Sequence, residues 1–222
     1  MAVAREVPAR TLTGGWPVTF AAVSTARLET FSDGVLAIAA TLLILDVHAT
    51  GSPLGHELVH IWPKYAAYAL SFTVIGIIWV NHHTVIGQLG HVDRRFLFIN
   101  VFFLMVVAFL PFPTQLVADT LKNGGADARA AAVAYGVTCT LMAVAFNVMW
   151  FYAIRQGRLL RPDADSKTVA NITRSFRPGI PIYAASTLVA IASPAASIAL
   201  FGALALFYVF EGSIFSRNES PT

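Results

Sequence analysis

The chain has 222 residues, of which 56% are hydrophobic and only 12% are charged, and its mean hydropathy is +0.66. An average soluble domain carries roughly 25% charged residues, so this composition cannot cover a soluble surface. A single cysteine, Cys139, excludes an internal disulfide and any metal or iron–sulfur site built from cysteines. The composition is typical of a multi-pass membrane protein, in which membrane spans of about 20 residues leave room for loops and tails only.

The formal net charge is +3 and the sequence pI is about 9.2, a balance that nucleic-acid-binding proteins share. The basic residues lie in short segments between apolar runs rather than on one soluble face, so nucleic acid is not an expected partner. Residues 1–24 contain no apolar core of signal-peptide length, and we interpret them as a flexible cytoplasmic tail. Residues 216–222 form a second short tail, and the membrane domain covers residues 25–215.

Six apolar stretches follow in chain order, and each is predicted to be an α-helix because backbone groups in hydrocarbon must be paired within the segment. They cover residues 25–47, 61–80, 96–117, 128–154, 180–192 and 195–215. Pro111 and Pro113 predict a bend in the third span. Ser193 and Pro194 favour a tight turn between the last two spans.

The lysines and arginines predict the orientation of these spans. With the N-terminus inside, only Lys64, Lys122 and Arg129 of the 15 basic residues fall outside. The positive-inside rule therefore places both termini in the cytoplasm. The longest basic loop, residues 155–178, is expected to lie on the inner leaflet. The predicted fold class is an all-α integral membrane protein with six transmembrane helices per chain.

The first span carries the most informative pattern. Asp33 lies about two turns into an apolar helix, which is costly unless it faces a partner or water. At 100° per residue, one face of this helix presents mostly branched and aromatic side chains with a single hydroxyl. These residues are Phe31, Gly34, Val35, Ile38, Thr41, Leu42 and Leu45. Such a stripe commonly faces lipid or the bundle core, so by itself it does not indicate a pore.

The sequence Arg27-x-x-x-Phe31-Ser32-Asp33-Gly34 resembles the RxxxFSDG element that opens the first helix of the endolysosomal potassium channel family (transmembrane protein 175 family), which includes bacterial homologues. Further segments resemble the family's second and third helices in the same order, namely residues 68–71, 79–83, 93–95, Asn100 and residues 110–114. The resemblance is specific over about residues 27–116. Beyond them it is limited to hydropathy and span count.

This resemblance implies a potassium channel without the TVGYG loop of ordinary potassium channels. In the bacterial members one chain supplies six helices, and a homotetramer surrounds a pore lined by the first helix. Carried over by position, Ile38 forms the narrow ring and gate, Thr41 presents a hydroxyl ring outside it, and Leu42 and Leu45 continue the pore wall. The expected function is passive conduction of potassium ions across the bacterial plasma membrane. No enzyme activity, no cofactor and no resident metal are expected.

The other polar residues of the motif are interpreted as scaffold. Ser32, Asp33, Trp79, His82 and Asn100 are predicted to form one buried hydrogen-bonded network, because each group would otherwise be unsatisfied at high cost. Arg27 is expected to pair with an acidic residue of an adjacent helix, or to snorkel to the inner interface. Asp46 either enriches cations at the outer mouth or is an ordinary helix-end carboxylate.

Several alternatives stay open at this point. Asp33 and His82 could relay protons, which would make the protein a proton-leak or proton-coupled pathway. The motif around Arg27 could instead serve packing alone in a non-transporting membrane scaffold. A cofactor-binding membrane enzyme ranks last, because no nucleophile–base pair or phosphate-cradling loop is present and adjacent histidines such as His82 and His83 rarely bind one ion.

Overall fold

The computed structural model describes residues 24–49, residue 51 and residues 53–216, without the side chains of Gln156 and residues 211–216. Most of the first expected tail and all but the first residue of the second therefore lie outside the described residues. Within the described residues the chain is helical, with connecting turns and a single isolated β-bridge between Leu89 and Leu160. The all-α prediction is confirmed.

The helices are labelled in chain order. They are α1 (Thr25–Leu42), α2 (Leu54–His60), α3 (Trp62–Gly87), α4 (Arg94–Ala108), α5 (Pro111–Thr120), α6 (Gly125–Ile154), α7 (Ser166–Phe176), α8 (Gly179–Ala192) and α9 (Pro194–Ser216). Short 3-10 turns extend α1 over Leu43–Asp46 and α6 over Arg155–Gly157. Four helical segments are long and apolar enough to cross a membrane: Thr25–Asp46, Trp62–Gly87, Arg94–Thr120 and Gly125–Ile154.

Local sequence signals explain most of the helix ends. Ser24 Oγ accepts a hydrogen bond from Arg27 N at the start of α1, and Asp93 Oδ1 accepts one from Phe96 N at the start of α4. Proline occupies the first turn of α3 and of α5, where its missing N–H costs nothing. The bend expected in the third span lies between the end of α4 at Ala108 and Pro111.

One sequence prediction about the spans needs correction. The second span does not end at residue 80 but continues to Gly87, where polar His82 is buried and bonded to Asn100 inside the bundle. The segment before it contains the short helix α2. The basic loop of residues 155–178 contains α7, whose apolar residues Val169, Ile172 and Phe176 pack against the protein core.

Helix α6 is the centre of the bundle. It packs against α4, α5, α8 and α9, while α1 packs against α3 and α4 at one side of the bundle. The largest fully buried side chains are aromatic, and they come from several of these helices: Trp150, Tyr135, Phe96, Phe103 and Phe201. This aromatic core fixes the helices on which α1 rests.

The contact between α6 and α8 depends on a glycine. A methyl group at Gly136 would lie 2.5 Å from Thr187 Oγ1 and 3.0 Å from its Cβ, so the two helices would have to separate. We expect Gly136→Ala to lower the free energy of unfolding by about 1–3 kcal/mol, the range measured for overpacked cores. Thermal unfolding of the protein in detergent measures this loss.

Gly202 in α9 provides the matched control for this change. A methyl group there would meet no atom within 4 Å and alanine is the better helix former, so Gly202→Ala is expected to leave the unfolding midpoint unchanged or slightly higher. A higher midpoint in both variants would show that helix propensity, not the α6–α8 contact, governs the result.

Candidate functional site

Helix α1 has one face buried in the chain. Leu28, Ser32, Leu36 and Ala39 are buried, and Leu43 continues the same row into the 3-10 turn. Their spacing of three and four residues is that of a single helix face. These residues seat α1 against α3 and α4, so the rotation of α1 about its own axis is determined by the bundle.

The opposite face of α1 is uncovered and carries bulky apolar side chains. Phe31 is 55% exposed, Ile38 61%, Leu42 42% and Leu45 68%. Gly34 and Thr41 are exposed on the same face, and Val35 lies at its edge, half-buried. The structure thus exposes the predicted stripe on a side of α1 that its own bundle leaves open, except for Val35, which packs against the core.

Thr41 presents a polar group within this apolar face. Its Oγ1 donates a hydrogen bond to the Ile38 carbonyl oxygen at 2.9 Å, one helical turn back. The hydroxyl proton is therefore used inside the helix, and the oxygen lone pairs remain available to a cation or to water. Asp46 lies half-buried at the end of the 3-10 turn that extends this helix.

A fully buried triad of polar side chains joins α1, α3 and α4. Asn100 Nδ2 donates to Ser32 Oγ at 3.0 Å, and Ser32 Oγ donates to the Leu28 carbonyl at 2.9 Å. His82 Nε2 lies 2.9 Å from Asn100 Oδ1, which can only accept, so Nε2 carries the proton. The His82 ring also stacks on Phe103. Asn100 is thus the middle member that links one residue of α1 to one of α3, while the buried His82 Nδ1 has no partner among the described residues.

Asp33 and Trp79 form a separate pair. Trp79 Nε1 donates to Asp33 Oδ1 at 3.0 Å, and this pair is on the exposed side of the chain. The sequence predicted one network of all five polar residues, and in the described residues no hydrogen bond joins this pair to the buried triad. The physical reason is that Ser32 and Asp33 are consecutive and point about 100° apart on the helix.

Sequence reasoning missed a second contact between the same helices. His83 Nδ1 lies 2.7 Å from Glu29 Oε1, one turn from the pair formed by Asp33 and Trp79. Glu29 and Asp33 are four residues apart on α1, as Trp79 and His83 are on α3, so the two contacts form a ladder between these antiparallel helices. The matching spacing of Glu29 and Asp33 with Trp79 and His83 was the available signal.

Arg27 forms no ion pair with the described acidic residues of the neighbouring helices. Its side chain is exposed, and among the described residues no carboxylate lies within ion-pair distance of it. The two acids nearest in sequence are already engaged, Glu29 by His83 and Asp33 by Trp79. In the part of the chain that the structure describes, no cluster of three or more histidine, cysteine or acidic residues could hold a metal ion.

Fold and site together define a multi-pass α-helical membrane protein in which the other described helices leave an apolar face of α1 uncovered. Residues 27–111 match the model of the family described as the endosomal/lysosomal potassium channel TMEM175. A relative named potassium channel B446_29190, from Streptomyces collinus, is 42% identical over 189 residues, which are 83% of this chain and 91% of that protein. The chain belongs to the TMEM175 family, which is a family of ion channels.

Solved structures and animal proteins extend the comparison. The crystal structure of a lysosomal potassium-selective channel TMEM175 homologue from Chamaesiphon minutus matches with a TM-score of 0.76 and 33% identity, over 84% of this chain and 97% of that one. The endosomal/lysosomal proton channel TMEM175 of Gallus gallus is 29% identical over 154 residues, which are 64% of this chain but only 31% of that protein.

Proposed function

We propose that this chain is the subunit of a potassium-permeable cation channel, in which a homotetramer surrounds a pore lined by α1 and ions diffuse passively. One observation carries the proposal. Bulky apolar side chains from Phe31 to Leu45 project from α1 on the side that its own bundle leaves uncovered. The relatives named potassium channels support the choice of ion. Neighbouring copies of α1 would cover this face around a common axis.

Ile38 is the proposed constriction of this pore. Its side chain is exposed on the uncovered face, and its branched alkyl group offers no oxygen to an ion that gives up hydration water. A ring of such groups conducts only when it widens or becomes wet, so it can act as a gate. Thr41 supplies hydroxyl oxygens one turn further along, and Leu42 and Leu45 extend the wall to Asp46, where a carboxylate ring would enrich cations.

The polar contacts of α1 are proposed to hold this geometry. The buried triad of Ser32, His82 and Asn100 prevents α1 from rotating against α3 and α4, because rotation would leave three buried polar groups unpaired. The hydrogen bond between Asp33 and Trp79 adds a second contact between α1 and α3 on the exposed side. Arg27 remains available for an acidic group of a neighbouring subunit or for the lipid interface.

We also propose that α8 and α9 complete six spans, with both termini in the cytoplasm of a cell whose plasma membrane holds the channel. The distribution of lysine and arginine supports this orientation. Exposed apolar side chains on both helices, such as Leu188 and Ile191 on α8 and Leu206 on α9, suit contact with lipid. Residues 25–215 then form the channel domain, flanked by the two short tails.

Reconstitution into liposomes tests the conduction proposal directly. Vesicles containing the tetramer and loaded with potassium are expected to show gradient-driven potassium flux well above that of empty vesicles. The oligomeric state is verified beforehand by size-exclusion chromatography with light scattering. If the verified tetramer carries no more flux than empty vesicles, the chain does not function as an open potassium pathway.

The proton pathway is the second candidate, and the name of the Gallus gallus relative favours testing it. Its proposed relay is weakened by the geometry, because Asp33 bonds to Trp79 and His82 bonds to Asn100, with no hydrogen bond between Asp33 and His82. Flux driven by a pH gradient that survives replacement of potassium by a large organic cation would establish this pathway. A non-transporting scaffold would carry neither flux.

A further inference from the structure

A cavity of about 260 Å³ lies where α4 begins and α6 ends. It is lined by Asp93, Arg95, Tyr152, Arg155, Arg158 and Leu159. Tyr152 belongs to the last turn of α6, whose segment Gly125–Ile154 is long and apolar enough to span a membrane. The cavity is therefore at the end of a span, at the level where lipid headgroups meet water.

The walls of this cavity are joined by backbone hydrogen bonds. Gly90 N donates to the Leu159 carbonyl and Arg161 N donates to the Gln88 carbonyl, each at 2.9 Å. These bonds link the turn between α3 and α4 to the segment that follows α6. Tyr152 Oη adds a 2.6 Å hydrogen bond to Asp93 Oδ2 across the same junction. The cavity is consequently a built feature of the fold.

The charge of the lining is strongly unbalanced. The lining contains three arginines and one aspartate, and among the described residues Arg95, Arg155 and Arg158 form no ion pair. A few residues away, by contrast, Arg161 pairs with Asp163 at 2.9 Å. The fold thus leaves three arginines around one cavity, and none of them lies within ion-pair distance of the single carboxylate there.

The single carboxylate in the cavity is already committed. Asp93 Oδ1 accepts from Phe96 N and Oδ2 accepts from Tyr152 Oη. Partial burial acts to raise the pKa of Asp93, but these two hydrogen bonds and nearby Arg158 outweigh it and lower that pKa. Asp93 is therefore ionised at neutral pH, and the stability it contributes is lost only as the pH falls through its lowered pKa.

We infer that this cavity binds a phosphate group, carried either by an anionic lipid or by free phosphate. A guanidinium presents its N–H groups as a rigid fork that matches two phosphate oxygens, and converging arginines are a common phosphate-binding arrangement. Basic cavities at the ends of transmembrane helices suit lipid headgroups for the same reason. A bound phosphate would bridge the start of α4 and the end of α6, whether or not the pore proposed above conducts.

Two probes on the purified full-length protein test this inference. Native mass spectrometry counts phosphatidylglycerol molecules retained by the protein against phosphatidylcholine, and titration calorimetry measures binding of inorganic phosphate. The double variant Arg155→Gln/Arg158→Gln is expected to weaken binding of the preferred probe by about tenfold or more, since two charged forks are lost. If the protein retains phosphatidylglycerol but gives no calorimetric signal with inorganic phosphate, the ligand of the cavity is a lipid headgroup. A calorimetric signal with inorganic phosphate shows that the cavity binds free phosphate.

The matched control is Arg161→Gln/Arg174→Gln, which removes the same charge from the same end of the molecule outside the cavity lining. It is expected to bind the probes like the unmodified protein. The inference is overturned if both double variants weaken binding equally. It is also overturned if the unmodified protein binds neither probe more strongly than the Arg155→Gln/Arg158→Gln variant does. If that double variant fails to fold, Arg95→Gln with its own thermal unfolding curve gives the same comparison.

Discussion

Replacing Ile38 by asparagine should raise potassium flux through the reconstituted protein by about tenfold or more. The amide oxygen can replace part of the hydration shell that an alkyl ring strips from the ion. Lowering the barrier by only about 1.4 kcal/mol is enough for a tenfold increase in rate. Single-channel recording in planar bilayers measures the change as conductance, separately from the number of channels.

The matched control for this prediction is Ile191→Asn in α8. Ile191 is 58% exposed, close to the 61% of Ile38, but it lies on a helix proposed to face lipid. Its substitution is expected to leave conductance unchanged in those channels that fold. If Ile38→Asn leaves both conductance and ion selectivity as they were, the narrowest part of the pore is at another residue.

Replacing Asn100 by alanine should destabilise the protein by about 3 kcal/mol, because it leaves two buried polar groups on other helices without their partner. These groups are Ser32 Oγ, which accepts from Asn100 Nδ2, and His82 Nε2, which donates to Asn100 Oδ1. The loss should appear as a lower thermal unfolding midpoint in detergent, measured by intrinsic fluorescence. The substitution should also weaken the packing of α1 against α3 and α4.

Asn147 is the matched control for Asn100. It is buried too, but its Nδ2 donates only to the Ala143 carbonyl of its own helix, and its Oδ1 has no partner among the described residues. Asn147→Ala is therefore expected to cost no more than about 1 kcal/mol, since no group on another helix loses a bond. Equal destabilisation by the two substitutions would mean that the triad is not a special tie between the helices.

Much of the fold follows from local signals in the sequence. Apolar runs predict the long helices because lipid and the bundle core both require paired backbones, and Pro111 and Pro194 mark where helices begin. The stripe from Phe31 to Leu45 could be predicted because residues three or four apart share a helix face whatever surrounds them. The structure shows that Leu28, Leu36 and Ala39 form the buried face of α1, and this burial leaves most of the stripe exposed.

Contacts between helices could not be predicted from local sequence patterns. Three features depend on how one helix is placed against another. They are the division of the polar motif into a buried triad and an exposed pair, the contact of Glu29 with His83, and the packing of α7 on the core. The same holds for the arginine-lined cavity between α4 and α6. Sequence alone determined which residues share a face of each helix, since helical periodicity is a property of a single segment. Only the tertiary structure decided which faces meet, because register and rotation are set by side-chain packing between distant segments.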